Sequence, residues 1–197
     1  MEVREAALSR VTKETKIDVT FVIDGSGVSE VATGIPFFDH MLDLFAKHGV
    51  FDLTVKAEGD LAVDAHHTVE DVGICIGEAI SRALGNKHGV TRYGHSILPM
   101  DECLVLIACD ISGRPHLNYD TDLPVELIGS FDTSLAEEFL KSLAGNMGLT
   151  LHVKTLAAGN NAHHLIEAIF KGLGRALDMA TSIDPRVQGV PSTKGSI

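Results

Sequence analysis

The residues best suited to chemistry are two histidine doublets, each followed by a glutamate. The first doublet lies in DAHHTVE at positions 64–70 and the second in NAHHLIE at positions 161–167. Residues three and four apart share a helix face, so Glu70 can approach a site served by His66 or His67. Adjacent side chains on a helix point about 100° apart. Each pair of imidazoles is therefore better placed to serve two metal ions than to chelate one.

The composition limits the classes of protein that are possible. The chain has 197 residues, of which 45% are hydrophobic and 22% charged, which is enough to bury a real core. A net charge of −11 argues against nucleic acid or an anionic membrane as the main partner. There is no apolar run of membrane-spanning length and no signal-peptide pattern. Three cysteines without metal-binding spacing predict buried thiols, and we expect a cytoplasmic protein.

Patterns of apolar residues predict the elements that position the doublets. Helical spacing predicts helices over 36–49, 66–84, 134–144 and 163–180. Alternation predicts strands within 2–24 and over 29–33, 51–58 and 149–156. The continuous apolar run at 104–111 predicts a buried strand.

The second half of the chain repeats the pattern of the first. The doublets align, segment 52–56 aligns with 150–154, and His40 falls opposite Glu138. We therefore predict an α+β fold in which two strand-rich halves each pack two helices against a mixed sheet in two layers. The whole chain, 1–197, is expected to form a single duplicated domain. Its predicted parts are pseudo-repeats at approximately 10–95 and 96–184 and an irregular tail at 185–197.

A single doublet of this kind would often be a solvated helical turn. Two doublets in register indicate metal binding more strongly. Imidazole and carboxylate without thiolate suit manganese, iron, zinc or nickel. Two neighbouring metals can bind one substrate and stabilise a developing anion. His40 and Glu138 could each complete one site, although alone each would be an ordinary surface residue. The candidate ligands are His40, His66, His67, Glu70, Glu138, His163, His164 and Glu167.

Basic residues are scarce, so those near glycine and hydroxyl residues are candidates for holding a phosphate. Lys194 lies in PSTKGS at 191–196, where hydroxyls, backbone amides and an ammonium group come together. Arg92 and Arg114 lie in similar turns, and a plain surface turn is the alternative for all three. Lys171 shares a helix face with Glu167, where a simple ion pair is the alternative. Glu14 and the pair at 101–102 precede strands at equivalent points, which hints at a shared cleft.

Together with PFFDHML at 36–42, DISGRP at 110–115 and GSFDT at 129–133, these motifs resemble the imidazoleglycerol-phosphate dehydratase family. The resemblance runs in order from about residue 10 to residue 195. It implies the step of histidine biosynthesis that dehydrates imidazole glycerol phosphate to imidazole acetol phosphate. It also implies two manganese ions per active site and a homo-oligomeric cage of twenty-four subunits built from trimers, with active sites at subunit interfaces.

The resemblance also implies roles for individual residues. It assigns metal binding to every candidate ligand above except Glu138, since the family often has histidine at that position. The substrate contacts that it implies are Glu14, His40, Arg92, Arg114, Lys171, Ser192, Thr193 and Lys194.

The implied chemistry uses the substrate's imidazole, held as imidazolate between two metals, as an electron reservoir. The hydroxyl leaves to give a diazafulvene-like intermediate, a base takes the neighbouring proton, and the enol becomes a ketone. Glu14 is the leading acid/base candidate, and Glu70 or Glu167 could ligate metal and move protons.

Two other functions stay open at the level of the residues. A dinuclear hydrolase of phosphate esters would use bound hydroxide as its nucleophile, although the chain lacks an Asp-rich metal motif. A non-enzymatic module would use the doublets to join subunits through metal.

Overall fold

The structure is a computed structural model that describes residues 3–197, and these residues have the predicted α+β architecture. The elements in chain order are β1 (Glu5–Val11), β2 (Thr15–Val22), β3 (Ser29–Ala32), α1 (Pro36–Gly49), β4 (Asp52–Gly59), α2 (His66–Leu84), β5 (Tyr93–Met100), β6 (Cys103–Asp110), β7 (His116–Asp120), β8 (Leu127–Ile128), β9 (Phe131–Asp132), α3 (Leu135–Met147), β10 (Thr150–Ala157) and α4 (Ala162–Thr181). All four predicted helices form, with ends shifted by a few residues at most. Strands β5, β7, β8 and β9 were not predicted from the sequence pattern.

The two main sheets have the same topology, which confirms the predicted duplication. The first sheet has the order β1-β2-β4-β3 and the second the order β5-β6-β10-β7. In the first sheet β2 pairs antiparallel with β1 and β4, and β3 runs parallel to β4. In the second sheet β6 pairs antiparallel with β5 and β10, and β7 runs parallel to β10. The register also matches, because Glu5 faces Val22 where Tyr93 faces Asp110.

The helices of the two halves pack crosswise, with α1 against α4 and α2 against α3. Glycines permit this close approach. A Cβ atom at Gly77 would lie 2.5 Å from the carbonyl oxygen of Leu143, and one at Gly174 would lie 2.5 Å from that of Phe45. The hydrophobic core consequently runs through both halves. The predicted repeat boundaries and the single-domain organisation stay predictions.

The outer faces of the two sheets differ in character. In β2 the outward residues include Lys16 and Asp18. In β6 the outward residues Leu104 and Leu106 are apolar and half-buried, while alternate residues face the helices. The prediction of a buried strand at 104–111 is therefore wrong for one of its faces, since no layer of the described chain covers it.

The three cysteines are buried and unpaired, as predicted. Burial raises the pKa of Cys75 and of Cys109 to about 12, so these thiols stay protonated at neutral pH. Among the helices of residues 3–197, none is long and apolar enough to cross a membrane.

Candidate active site

Both histidine doublets lie in the first turn of a helix, and the residues before them explain why the helices begin there. The side chain of Asn161 caps α4 by accepting hydrogen bonds from the backbone N–H groups of His163 (3.0 Å) and His164 (3.4 Å). Asp64 accepts a hydrogen bond from the backbone N–H of His66 at 2.8 Å. The same kind of local bonding therefore fixes each doublet at the start of its helix.

The two doublets have nearly the same internal geometry. The two rings are 6.1 Å apart at 86° in the first doublet and 6.2 Å apart at 85° in the second. The first histidine of each faces the glutamate one turn later. The distance from Nε2 of His66 to Oε2 of Glu70 is 3.9 Å, and from Nε2 of His163 to Oε2 of Glu167 it is 3.3 Å. The two rings of each doublet are thus nearly perpendicular, and the prediction that they serve different metal ions stays a prediction.

The second histidine of each doublet faces a carboxylate that is not on its own helix. Nδ1 of His67 lies 3.0 Å from Oδ2 of Asp60, and Nδ1 of His164 lies 2.9 Å from Oε2 of Glu102. Because an ionised carboxylate only accepts hydrogen bonds, Nδ1 carries the proton and Nε2 of the neutral ring has a lone pair. These hydrogen bonds raise the pKa of His67 and of His164.

The packing of α1 on α4 brings His40 to the second doublet. His40, His163 and Glu167 each offer one ligand atom, and these atoms lie within 4.8 Å of one another. Lys171 forms an ion pair with Glu167, which is the alternative that the spacing left open, and its predicted substrate contact stays a prediction. Burial of Glu167 favours the neutral acid, but the hydrogen bond and charge of Lys171 outweigh it, so the pKa of Glu167 is lowered. Glu167 is therefore a carboxylate suited to binding a cation.

Glu138 does not join a comparable cluster in the part of the chain that the structure describes. It lies on α3 and accepts a hydrogen bond from Lys141 at 3.2 Å. Nor does any group of three potential ligands within residues 3–197 combine the two doublets. The doublets lie on α2 and α4, and the helices that pack against them are α3 and α1, respectively. A single described chain thus holds two separate histidine clusters.

Glu14 lies directly before β2, with Oε2 at 3.8 Å from Nδ1 of His67. It lines a cavity of about 170 Å³ together with His67 and Glu70. Its hairpin is anchored to α2 because Asp71 accepts hydrogen bonds from Thr15 (2.5 Å) and Arg10 (2.9 Å). The structure thus brings Glu14 to the first doublet, as the equivalent hairpin brings Glu102 to the second.

A separate cavity of about 590 Å³ lies at the end of the second sheet and is predominantly basic. Arg92 donates two hydrogen bonds to Asp110 and one, at 2.8 Å, to the carbonyl oxygen of Pro191, which ties the tail to the sheet. Its φ of 74° lies in the left-handed region, which is unusual for a residue with a side chain. Backbone conformations of this kind are frequent at functional sites. Five residues with predicted substrate contacts line the cavity: Arg92, Arg114, Ser192, Thr193 and Lys194. Lys171 lies with the histidine cluster instead.

Sequence patterns did not single out Asp60 or Asp71. Asp60 follows β4 and meets His67 only because β4 ends beside the start of α2, so no spacing rule connects the two. Asp71 directly follows Glu70, and no sequence signal distinguishes it. Only the structure shows that it is buried. A further cavity of about 490 Å³ lies beside His66 and is lined in part by the β8–β9 hairpin, which was also not predicted.

Fold and site together define a class of duplicated α+β proteins with two histidine–carboxylate clusters and a basic cavity. The model of the imidazoleglycerol-phosphate dehydratase family matches residues 33–177. The imidazoleglycerol-phosphate dehydratase of Moorella thermoacetica is 58% identical over 192 residues, covering 98% of this chain and 97% of the relative. That of Acetivibrio thermocellus is 59% identical over 194 residues, covering 98% of this chain and 99% of the relative.

Solved structures agree with this family. The enzyme from Staphylococcus aureus matches with a TM-score of 0.82 and 38% identity, over 91% of this chain and 99% of that one. The enzyme from Pyrococcus furiosus in complex with (S)-C348 matches with a TM-score of 0.82 and 41% identity, over 96% of this chain and 100% of that one. The chain belongs to the imidazoleglycerol-phosphate dehydratase family, whose members are lyases of histidine biosynthesis.

Proposed function

We propose that the chain dehydrates D-erythro-imidazole glycerol phosphate to imidazole acetol phosphate at a site with two manganese ions. In this proposal the substrate's imidazole is bound between the ions as imidazolate. The observation that carries the proposal is the matching geometry of the two doublets, because the two nearly perpendicular rings of each doublet are placed to serve two different ions rather than one.

The donor atoms fit manganese. They are imidazole nitrogens and carboxylate oxygens without thiolate. The three potential ligands around His163 are close enough to share one ion, and hydrogen bonds at Nδ1 leave Nε2 of His67 and His164 available. The proposed ligands are His40, His66, His67, Glu70, Glu138, His163, His164 and Glu167. When bound, the ions would supply Lewis-acid charge that stabilises the anionic imidazole of the substrate.

Glu14 is the group that we propose to move protons. Dehydration removes a hydroxyl group, which leaves as water after gaining a proton, and a proton from the neighbouring carbon. Glu14 is 55% exposed, and its side chain makes no hydrogen bond to other described residues, so its carboxylate is available to the substrate. Glu70 and Glu167 are further candidates to carry protons, although the ion pair with Lys171 favours the ionised form of Glu167.

The basic cavity is the proposed site for the substrate's phosphate. Guanidinium and ammonium groups, hydroxyls and glycine-rich backbone converge there. Three of the five N–H groups of Arg92 donate hydrogen bonds to Asp110 and Pro191. The two others are available to donate to phosphate oxygens.

We also propose that the active site forms between copies of this chain. The two histidine clusters are separate within one chain, so a complete dinuclear site needs a second copy. The apolar outer face of the second sheet supports self-association, since Ile97 is 61% exposed beside Leu104 and Leu106. The expected assembly is a cage of twenty-four subunits built from trimers, located in the cytoplasm.

Product analysis tests the proposal. Metal-stripped protein is incubated with imidazole glycerol phosphate, with and without manganese, and imidazole acetol phosphate and inorganic phosphate are both measured. We expect the ketone only with manganese, and no phosphate release. Release of phosphate would favour the hydrolase alternative. Metal-dependent assembly without any turnover would favour the non-enzymatic module.

A further inference from the structure

The hydrogen-bond partners of His67 and His164 come from different places in the two halves. Glu14 and Glu102 are equivalent by register, since each directly precedes the second strand of its sheet. Glu102 bonds to Nδ1 of its histidine at 2.9 Å, whereas Glu14 stays 3.8 Å away. In the first half the bond is made by Asp60, at the end of β4. The matching segment after β10, residues 158–161, is AGNN and offers no carboxylate.

Each of these contacts depends on a glycine that leaves room for it. A Cβ atom at Gly59 would lie 2.0 Å from Oγ1 of Thr68, so glycine lets the end of β4 approach the start of α2. A Cβ atom at Gly159 would lie 2.3 Å from Cγ of Glu102. The approach of both carboxylates is thus built into the backbone.

We propose that Asp60 and Glu102 are positioning residues that hold the Nδ1–H groups of His67 and His164 and so present Nε2 of each ring to a metal ion. Asp60 thereby leaves Glu14 unbonded and available for proton transfer, whereas the equivalent Glu102 is occupied in orientation. This inference rests on the proposed metal sites at the doublets. Outer hydrogen bonds of this kind orient metal-binding histidines, and their loss lowers metal affinity by about 10–100-fold.

Direct metal binding by the acidic hairpin is the competing explanation for Glu102. Asp101, Glu102 and His164 do offer three atoms within 4.8 Å of one another. However, Asp101 is 71% exposed and its Oδ2 is 3.9 Å from Nδ1 of His164, beyond hydrogen-bond distance. The 2.9 Å separation between Oε2 of Glu102 and Nδ1 of His164 is that of an ordinary N–H···O hydrogen bond.

Manganese affinity of the full-length, metal-stripped protein, measured from the electron paramagnetic resonance signal of free Mn²⁺, tests the inference. Asp60→Leu and Glu102→Leu remove the acceptor, and we expect affinity to fall by about 10–100-fold. Asp60→Asn and Glu102→Gln keep a neutral acceptor, and a smaller loss of about fivefold is expected. The matched controls Glu58→Gln and Asp101→Asn remove the same charge without a bond to histidine and should change affinity by less than about twofold.

A double-mutant cycle tests the second part of the inference. Glu14→Gln alone should leave manganese affinity unchanged, because Asp60 already holds His67. In the Asp60→Leu background, Glu14 is the nearest remaining carboxylate, so adding Glu14→Gln should lower the affinity further. Additivity in this cycle would show that Glu14 has no latent access to His67 and would overturn that part.

Failure of the inference differs from failure of the proposed function. If wild-type protein binds no Mn²⁺, or if His67→Ala and His164→Ala bind it normally, the proposed metal sites are wrong. If those histidine variants lose Mn²⁺ while Asp60→Leu and Glu102→Leu keep it, only the positioning role is overturned. An Asp101→Asn loss as large as that of Glu102→Leu would replace positioning with direct ligation. Melting of the metal-free proteins identifies misfolded leucine variants, and the amide variants against their controls then decide.

Discussion

The hairpin that carries Glu14 and the hairpin that carries Glu102 occupy the same place in the two halves, yet their carboxylates have different surroundings. Glu102 is bonded to a histidine and 34% exposed, whereas Glu14 is unbonded and 55% exposed. The strands on either side pair in the same register. The difference therefore arises at the end of β4, where Asp60 makes the hydrogen bond to the histidine in the first half only. The two halves thus keep the same positions, while the carboxylates at those positions have different hydrogen-bond partners.

Comparison of Glu14→Gln with Glu102→Gln should give the largest difference. For Glu14→Gln we expect kcat to fall by about 10²–10⁴-fold, because a positioned proton donor or acceptor is lost. Manganese content and oligomer size should stay as in the wild type. For Glu102→Gln we expect weaker manganese binding and turnover that excess manganese restores. The measurement is kcat against manganese concentration for both variants, and an active Glu14→Gln enzyme would refute the role assigned to Glu14.

The arginines before the first strand of each sheet allow a second comparison. The backbone carbonyls of Arg4 and Arg92 accept equivalent hydrogen bonds from Ile23 (2.9 Å) and Ile111 (3.0 Å). Both side chains form paired hydrogen bonds with an aspartate, but only Arg92 lines the basic cavity. Arg92→Gln should raise KM by about 10–100-fold, the value of a lost charged hydrogen bond. Arg4→Gln should leave KM unchanged, and equal KM values for the two variants would contradict the phosphate site.

The sequence predicted all four helices and placed both doublets and their glutamates at helix starts, because helical spacing shows this directly. Local composition also identified the basic residues that line the cavity. The sequence did not predict Asp60, whose partner His67 is reached only through the packing of β4 on α2. It also did not predict that one face of β6 is half-exposed, since an apolar run does not show which layers cover it. Glu138 aligns with His40, and this alignment predicted a ligand. Within the described chain its side chain accepts a hydrogen bond from Lys141, so the ligand role stays a prediction.

Gly94 and Ala6 are equivalent positions with different tolerance for a side chain. They face Cys109 and Phe21 in matching register. A Cβ atom at Gly94 would lie 1.8 Å from the carbonyl oxygen of Ala176, so Gly94→Ala must push α4 away from the second sheet. We expect it to destabilise the metal-free protein by about 3 kcal/mol in urea unfolding. Ala6→Gly should cost about 1 kcal/mol, and equal costs would show that α4 yields easily at this contact.

The helix ends at Val50 and Gly148 should give the smallest effect, and one of opposite sign. Both residues cap their helices in the left-handed conformation, with φ of 57° at Val50 and 71° at Gly148. That conformation costs an L-residue about 1–2 kcal/mol, and more for a β-branched one, whereas glycine adopts it freely. Gly148→Val should therefore destabilise the protein by about 2 kcal/mol. Val50→Gly should stabilise it by about 1 kcal/mol or less, because the removed strain is partly offset by the lost burial of Val50 and by the greater freedom of glycine in the unfolded chain. Urea midpoints of the two metal-free variants measure both changes, and a destabilised Val50→Gly would mean that packing of Val50 outweighs its backbone strain.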